Sequence, residues 1–547
     1  MNRRVSRRAF LGGSAAAVAV AGAGAAGILL RHDETETPAS QEFAPTPEPT
    51  AVPTPTAPKP GGSQTITAPG SFNFDTFDAQ LTGESGVVEV LGRTHSRLVQ
   101  WSGGAITGDL AQRWETPDPQ TLVLHLDPAA RWQPRAPLNG RAVTAGDVVA
   151  HLTRSLEIAS GGKAPLAQRY HAYASIASVD TPAAGQVRIR LRAPDEFMLD
   201  TLASEFALIQ APEAVAAFAG LWSKLDSDHV LGSGPWLFDW ADDGVKFTAW
   251  RDGHRKPLLD ELHVVEPADA AKRFADGSLD EAMVFDRRDA TKLRAEASGS
   301  AVAPFRARRD LIMSSFFIGA PPWNNPELVT ALSVALNRHP ILTNLLGGRA
   351  IAPGPIPGML ANASVSEREL IGLPGYGPWD DAAAKDAASR WQAAGGAGLG
   401  PITIDFPSVF DPLYSASSIV IGQLNGVLGT QFRPAVETYT TISKRVVDGY
   451  YGNGRAAFWL GWGAPIASPD ARRFATETYD RGSPGQRTLG GTGVAEPTNG
   501  AAIAKAGFAG FLHWAQPYNE VFRKRGITAP EASPFWNQHL DYLRANA

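Results

Sequence analysis

The residue types that could make or break bonds are present in this chain, but not at the spacings that would join them. Eleven histidines occur, and none stands in an H-E-x-x-H or comparable ligand pattern. His95, His125, His151 and His254 are scattered, so each reads as a surface or internally satisfied group. Cysteine is absent, which excludes disulfides, thiolate metal sites, iron–sulfur clusters, a cysteine nucleophile and a lipid-modified cysteine. Gly232-Ser233-Gly234-Pro235 sets a serine between glycines, outside any G-x-S-x-G elbow. Gly22-Ala23-Gly24-Ala25-Ala26-Gly27 matches a dinucleotide fingerprint, yet no strand precedes it and no βαβ unit surrounds it. No carboxylates form a recognisable catalytic pair, and no cofactor is expected. What remains is non-covalent chemistry. Fourteen tryptophans are a high count, and indole faces suit sugar rings or flat apolar ligands.

A chain of 547 residues exceeds what one compact core usually holds, so two or three lobes are expected. With 44% apolar and 19% charged residues, the composition is that of a globular protein. The net charge of -5 gives no basic face for nucleic acid, and none is expected as a partner.

Residues 1–32 read as an address. Arg7 and Arg8, preceded by Ser6 and followed by Phe10 and Leu11, form a twin-arginine export signal, and an uncharged stretch runs from Ala9 to Leu30. That stretch is nearly long enough to span a membrane, and both cleavage and retention as an anchor stay open. The glycines noted above are small-residue filler within it. Residues 33–62 are rich in proline, alanine and threonine. Proline fixes φ and removes donors, so this is a semi-extended linker of about 3.1 Å per residue, or a propeptide.

From residue 63 the texture alternates between strands and helices. Thr121–Leu126 and Gln186–Leu191 alternate as half-buried strands do. Thr144-Ala145-Gly146-Asp147 opens a helix: Thr144 caps the free N–H groups and Asp147 reaches back. Pro235–Trp240 and Val245–Trp250 form a hairpin across Ala241-Asp242-Asp243-Gly244. Helices are expected over 86–99, 327–344 and 380–394, the last stopped by Gly395-Gly396. Pro401–Phe406 and Arg455–Leu460 read as buried strands. Beyond residue 501, Trp514, Tyr518, Phe522, Trp536 and Tyr542 are spaced to suit short helices.

These segments in this order resemble the family 5 extracellular solute-binding proteins, over roughly residues 63–480. Asp109-Leu110-Ala111-Gln112-Arg113-Trp114 resembles the family's P-x-L-A-x-x-W turn. Thr144-Ala145-Gly146-Asp147-Val148 resembles T-A-x-D-V, and Gly232-Ser233-Gly234-Pro235-Trp236 resembles the G-T-G-P-Y turn. Phe274–Asp280 resembles A-L-x-x-G-E-I-D, and Pro322–Arg338 resembles P-F-x-D-x-x-V-R-x-A-L-x-x-A-I-D-R. Gly461-Trp462 resembles the G-W loop at the ligand cleft.

The resemblance implies an α/β, two-lobed periplasmic-binding-protein-like (type II) fold with an extra small inserted lobe and a ligand cleft at the hinge. Lobe I takes 63–98, 225–305 and 481–547, the inserted lobe 99–224, and lobe II 306–480. It implies a monomer outside the cytoplasm, at the outer face of the cytoplasmic membrane, in periplasm or in cell wall. The protein would hand a small solute (peptide, saccharide or metal chelate) to an ABC transporter permease, without being an enzyme. Implied ligand-binding residues are Trp462, Gly463, Phe77, Glu84 and Asp470. Peptide binders of the family hold the ligand's α-ammonium with an Asp three residues after the loop tryptophan. Pro465 stands there in this chain, so a peptide N-terminus is not expected to be the main anchor. Two other classes stay open: a secreted cofactor-dependent enzyme, and a ligand-sensing receptor or chaperone on the same fold.

Overall fold

In the computed structural model, period-two burial sets the strands first. Gln186–Leu191 buries Val187, Ile189 and Leu191, while Gln186 and Arg188 are partly exposed and Arg190 is exposed. The structure describes most of residues 61–303, 325–341 and 375–438, with shorter segments as far as 545; residues 1–60 and 462–510 lie outside the described set. The signal and most of the linker fall there. No helix among the described residues is long and apolar enough to cross a membrane.

Two large sheets and one small sheet organise these residues. The seven-stranded sheet runs in the order Val302–Ala303, Glu520–Arg523, Glu281–Val284, Ser63–Thr67, Glu261–Val265, Gly244–Ala249 and Trp236–Ala241. Ser63–Thr67 is parallel to both its neighbours. The six-stranded sheet runs Ala350–Ile351, Phe511–Pro517, Ser314–Ile318, Ala457–Gly461, Ile402–Pro407 and Phe432–Glu437. A four-stranded antiparallel sheet, Ala111–Asp118, Thr121–Leu126, Gln186–Leu191 and Ile176–Asp180, lies in sequence between two strands of the first sheet.

Local chemistry fixes several elements. The helix Ala145–Ser160 begins as a reciprocal cap: the Thr144 N–H donates to Asp147 Oδ2 (2.9 Å), and the Asp147 N–H donates to Thr144 Oγ1 (3.3 Å). Arg141 adds two bonds to the same carboxylate, at 2.7 and 2.8 Å, and Trp132 Nε1 donates a third at 3.1 Å. Burial would raise the Asp147 carboxyl, but these donors hold it below the ordinary range. The hairpin closes with Ala241 paired to Gly244, so Asp242-Asp243 forms a two-residue loop. Asp380 caps the helix Asp381–Ala393 through the Ala383 N–H (2.8 Å), and Gly395 at φ 83° stops it in the left-handed region.

The Gly232–Trp236 segment is a packing device and not a nucleophile turn. A Cβ at Gly232 would lie 2.0 Å from the Thr94 carbonyl, and one at Gly234 2.5 Å from the Arg93 carbonyl. Gln133, fully buried, spans this crowded contact. Its Nε2 donates toward the carbonyls of Trp236 (2.6 Å), Gly234 (3.1 Å) and Thr94 (3.2 Å), and its Oε1 accepts from the Gly232 N–H (3.2 Å).

Three elements differ from the sequence reading. The helix expected over 327–344 ends at Ala335, because Leu336 and Asn337 are extended. Pro340 has no N–H to continue the ladder, and the buried Arg338 guanidinium takes the Ser333 and Gly375 carbonyls (3.0 and 2.6 Å) instead. The helix expected over 86–99 ends at Thr94, and Val99 starts a strand. Finally, Trp514 and Phe522 lie in strands, not short helices, and these strands join different sheets. Phe511–Pro517 joins the six-stranded sheet and Glu520–Arg523 the seven-stranded one. Short apolar runs carry no periodicity that separates helix from strand, or one sheet from another.

The apolar cores follow the sheets. Helices Pro326–Ala335, Asp381–Ala393 and Leu413–Leu428 bury Leu328, Leu332, Trp391 and Leu424 with Ile402, Ile404 and Phe432 of the second sheet. Each such side chain contributes roughly 1.5–3 kcal/mol on burial. The core of the first sheet is continuous with that of the small sheet, through Phe77, Leu91, Leu124, Leu152, Ile189, Trp236 and Phe247.

Candidate functional site

Strand direction alone brings several predicted segments to common ends. In the second sheet Gly461 faces Ser315, and Ala515 faces Ser314. The exit of Ala457–Gly461, the entry of Ser314–Ile318 and the exit of Phe511–Pro517 therefore share one end. Ile402–Pro407 and Phe432–Glu437, parallel to Ala457–Gly461, finish at that end too. In the first sheet, Val284 faces Glu520 and Ala303 faces Val521. The C-terminal ends of its parallel strands thus share an end with the exit of Val302–Ala303 and the entry of Glu520–Arg523. The chain passes between the sheets twice, through residues 304–313 and through residues 518–519 alone. Both passages leave and arrive on the side of each sheet where its parallel strands end, the side on which open α/β sheets bind ligands.

Each set of strand ends is pinned by an arginine on carboxylates. In the second sheet, Arg445 donates to Asp405 Oδ2 (2.5 Å) and Glu437 Oε1 (2.9 Å), tying the ends of neighbouring strands. Asp405 is 5% exposed at its side chain, so the pair is largely desolvated. In the first sheet, the loop 74–82 that follows Ser63–Thr67 is held by Arg154. Its Nη2 lies 2.6 Å from Asp78 Oδ2 and its Nη1 3.0 Å from Asp78 Oδ1. At the opposite end of that sheet, where Glu281–Val284 starts, the returning strand is fixed by Arg523 on Glu281 and by Lys524 Nζ on Asp280 Oδ1 (2.8 Å).

The predicted residues fall as follows. Phe77 lies on the loop 74–82 and is 1% exposed. It packs edge-on to Phe238 (5.5 Å) with Phe74 and Trp240 nearby (5.9 and 6.4 Å). The ring thus belongs to the core shared with Phe238 and Trp240; aromatic residues spaced along an irregular loop do not reveal which rings turn inward. Glu84, Trp462, Gly463 and Asp470 lie outside the described residues, as does Pro465. Gly461, the last described residue before Trp462, ends its strand at the shared end. Asp78, Arg154, Asp405 and Arg445 were not singled out from sequence, and no local motif marks them.

The four histidines are internally engaged. His151 Nδ1 accepts from the Gln210 N–H (3.2 Å), and His95 Nδ1 meets Thr94 Oγ1 (2.8 Å). His125 meets Glu115 at 2.9 Å and His254 meets Asp109 at 2.8 Å. Burial would raise the Asp109 carboxyl, but Arg255, His254 and the Arg97 N–H hold it below its usual range. Burial and the Arg97 charge push His95 down to about 4, and burial with Arg154 pushes His151 down to about 3. Among the described residues no cluster of three or more His, Asp or Glu could hold a metal ion.

Comparison with known proteins agrees with this geometry. The profile of the bacterial extracellular solute-binding proteins, family 5 (middle region), matches residues 105–476. A Brucella ovis protein named as an ABC transporter peptide-binding protein is 31% identical over 265 residues, covering 45% of each chain. The chain thus aligns with less than half the length of that curated relative. Haemophilus influenzae OppA, solved with the peptide RPPGFSPFR, superposes with a TM-score of 0.71 at 16% identity, covering 89% of this chain and 99% of its own. AgaA of A. tumefaciens R10, solved with agropinic acid, superposes at 0.69 with 18% identity, covering 89% and 99%. At such identities the likeness speaks for the fold, which is α/β and of the two-lobed periplasmic-binding-protein kind. The chain belongs to the family 5 bacterial extracellular solute-binding proteins.

Proposed function

We propose that this protein binds a small solute outside the cytoplasm and delivers it to an ABC transporter permease by closing two lobes around it. The observation that carries this reading is the shared strand ends. Both chain passages, and the segments leading to Phe77 and to Trp462, stand where the parallel strands of the two large sheets end. A ligand touching both lobes favours the closed state by its differential contacts, and the importer reads that state. Trp462, Gly463, Asp470 and Glu84 are the proposed ligand contacts.

Pro465 supports a ligand that is not anchored by an α-ammonium. Arg7-Arg8 supports export by the twin-arginine route, with residues 33–62 as a tether or spacer. The test is a thermal-shift screen of the purified full chain against peptides, saccharides, metal chelates and agropinic acid. A ligand at about 100 times its Kd stabilises by about 2.7 kcal/mol. Consumption of the stabilising compound by the protein would refute the binding role. N-terminal sequencing of the exported protein tests the anchor, which a start after residue 30 rejects.

A further inference from the structure

The loop 74–82 has little backbone support of its own. Its internal bonds are local: Leu81 and Thr82 N–H groups donate to the Asp78 carbonyl (3.0 and 2.9 Å), and Thr82 Oγ1 donates to Asp75 Oδ1 (2.8 Å). Several of its polar ties across the fold go to the part of the chain inserted between strands of the first sheet. Arg154 grips Asp78 through both guanidinium nitrogens (2.6 and 3.0 Å) and also donates to Gln80 Oε1. Gln80 Nε2 donates to the His151 carbonyl (2.9 Å) and Ser155 Oγ (2.5 Å). Gln210 Nε2 donates to the Phe77 carbonyl (3.3 Å), and the Phe77 N–H donates to the Trp222 carbonyl (3.3 Å). His151, Arg154 and Ser155 stand three and four residues apart, on one face of the helix Ala145–Ser160. The apolar side of the loop meets the first sheet, where Phe77 packs on Phe238.

We infer that the inserted lobe is the positioning element of the loop that follows the first strand: the helix Ala145–Ser160, through Arg154 on Asp78 and Gln80, sets where residues 74–82 sit against the first sheet. This assigns the small lobe a role in shaping the first lobe's half of the site, and it rests on the binding role proposed above. The argument is geometric. Asp78 and Gln80 are each 1% exposed, so both are taken from water and need fixed partners. A buried ion pair adds little net stability, because desolvation offsets the attraction. A two-pronged guanidinium contact does fix orientation, which a lysine's point charge does not.

The test is hydrogen–deuterium exchange on the full chain, comparing wild type with Arg154→Met, Arg154→Lys and the double variant Arg154→Met/Asp78→Asn. Arg154→Met leaves Asp78 charged and unpaired, so it lowers the melting temperature whatever the role of the pair. The double variant removes that unpaired charge and recovers most of the melting temperature. Its amides at Gln80, Leu81 and Thr82 are nevertheless expected to exchange about tenfold faster than wild type or more, with Thr121–Leu126 and Gln186–Leu191 unchanged. Arg154→Lys recovers the melting temperature but part of the loop protection at most. Wild-type exchange in the loop of the double variant would overturn the inference, as would acceleration spread evenly over the small sheet.

A tryptic digest of casein serves as the binding probe. If it stabilises the wild type, the double variant is expected to bind it about tenfold more weakly; equal binding overturns the inference. A digest that stabilises neither protein counts against peptides as the solute class, while the exchange data still decide the role of the helix.

Discussion

Replacing Gln133 by Leu removes a side chain of similar size whose amide satisfies backbone groups on both sides of a close contact. Gln133 is 0% exposed, and its Oε1 accepts from the Gly232 N–H at 3.2 Å. Its two Nε2 hydrogens are shared among carbonyls at 2.6, 3.1 and 3.2 Å. Leucine supplies none of these bonds. Solvent cannot readily replace them, because the glycine backbone lies against Thr94 with no room for a Cβ. The net loss is about 1 kcal/mol for each hydrogen bond, and each buried group left orphaned adds about 1–3 kcal/mol. Counting the Gly232 N–H and one or two carbonyls, the expected cost is about 3–5 kcal/mol.

Urea unfolding followed by tryptophan fluorescence measures it, since Trp132, Trp222 and Trp236 are buried in the same region. Gln120→Ala is the control. That side chain is exposed and bonds the carbonyls of Leu191 and Arg192 at 3.2 and 3.1 Å, so its loss should fall within about 0.5 kcal/mol. A Gln133→Leu cost no larger than the control's would refute the reasoning that the amide is a bridge.

Gly232→Ala forces a methyl to within 2.0 Å of the Thr94 carbonyl, and urea unfolding should show a stability loss at least as large as that of an overpacked core substitution, about 1–3 kcal/mol; an unchanged stability would contradict the close contact. Asp147→Ala removes the reciprocal cap and leaves Arg141 with Glu213 (2.6 Å) and the Ala142 carbonyl (2.9 Å), costing about 1–2 kcal/mol by the same assay; an unchanged midpoint would argue against the cap. His95 and His151 are held neutral, with folded values of about 4 and about 3 against about 6.5 in an unfolded chain. The unfolded chain then binds more protons than the folded one between those limits. Their contribution is therefore complete above about pH 6.5 and is lost as pH falls toward 4, by up to about 1.4 kcal/mol per pH unit for each histidine. Melting temperatures that stay flat from pH 6.5 to 4.5 would contradict this.

Much of the frame was legible where local rules act alone. Thr121–Leu126 and Gln186–Leu191 begin and end where their alternation does. The Thr144/Asp147 cap, the Asp242-Asp243 turn and the Gly395 stop each follow from a side chain or φ preference within a few residues. Reading stopped where the partner is distant. Asp78 and Arg154 are 76 residues apart, and no spacing rule connects them. The helix before Arg338 is cut short by a contact to Gly375, equally invisible in a local window. The inward turn of the Phe77 ring depends on Phe238, more than a hundred and fifty residues away in the chain, and no short stretch of sequence shows it.

The strand Glu520–Arg523 has a consequence for synthesis. It lies between Glu281–Val284 and Val302–Ala303, which precede it by more than two hundred positions in the chain. While a ribosome is still extending the polypeptide, Glu281–Val284 waits with an unpaired edge, and Val302–Ala303 has nothing to dock against. Such an edge is a template for wrong pairing between nascent copies. Conditions that slow elongation through the last hundred codons should therefore raise aggregation, and a holdase that shields the open edge should suppress it.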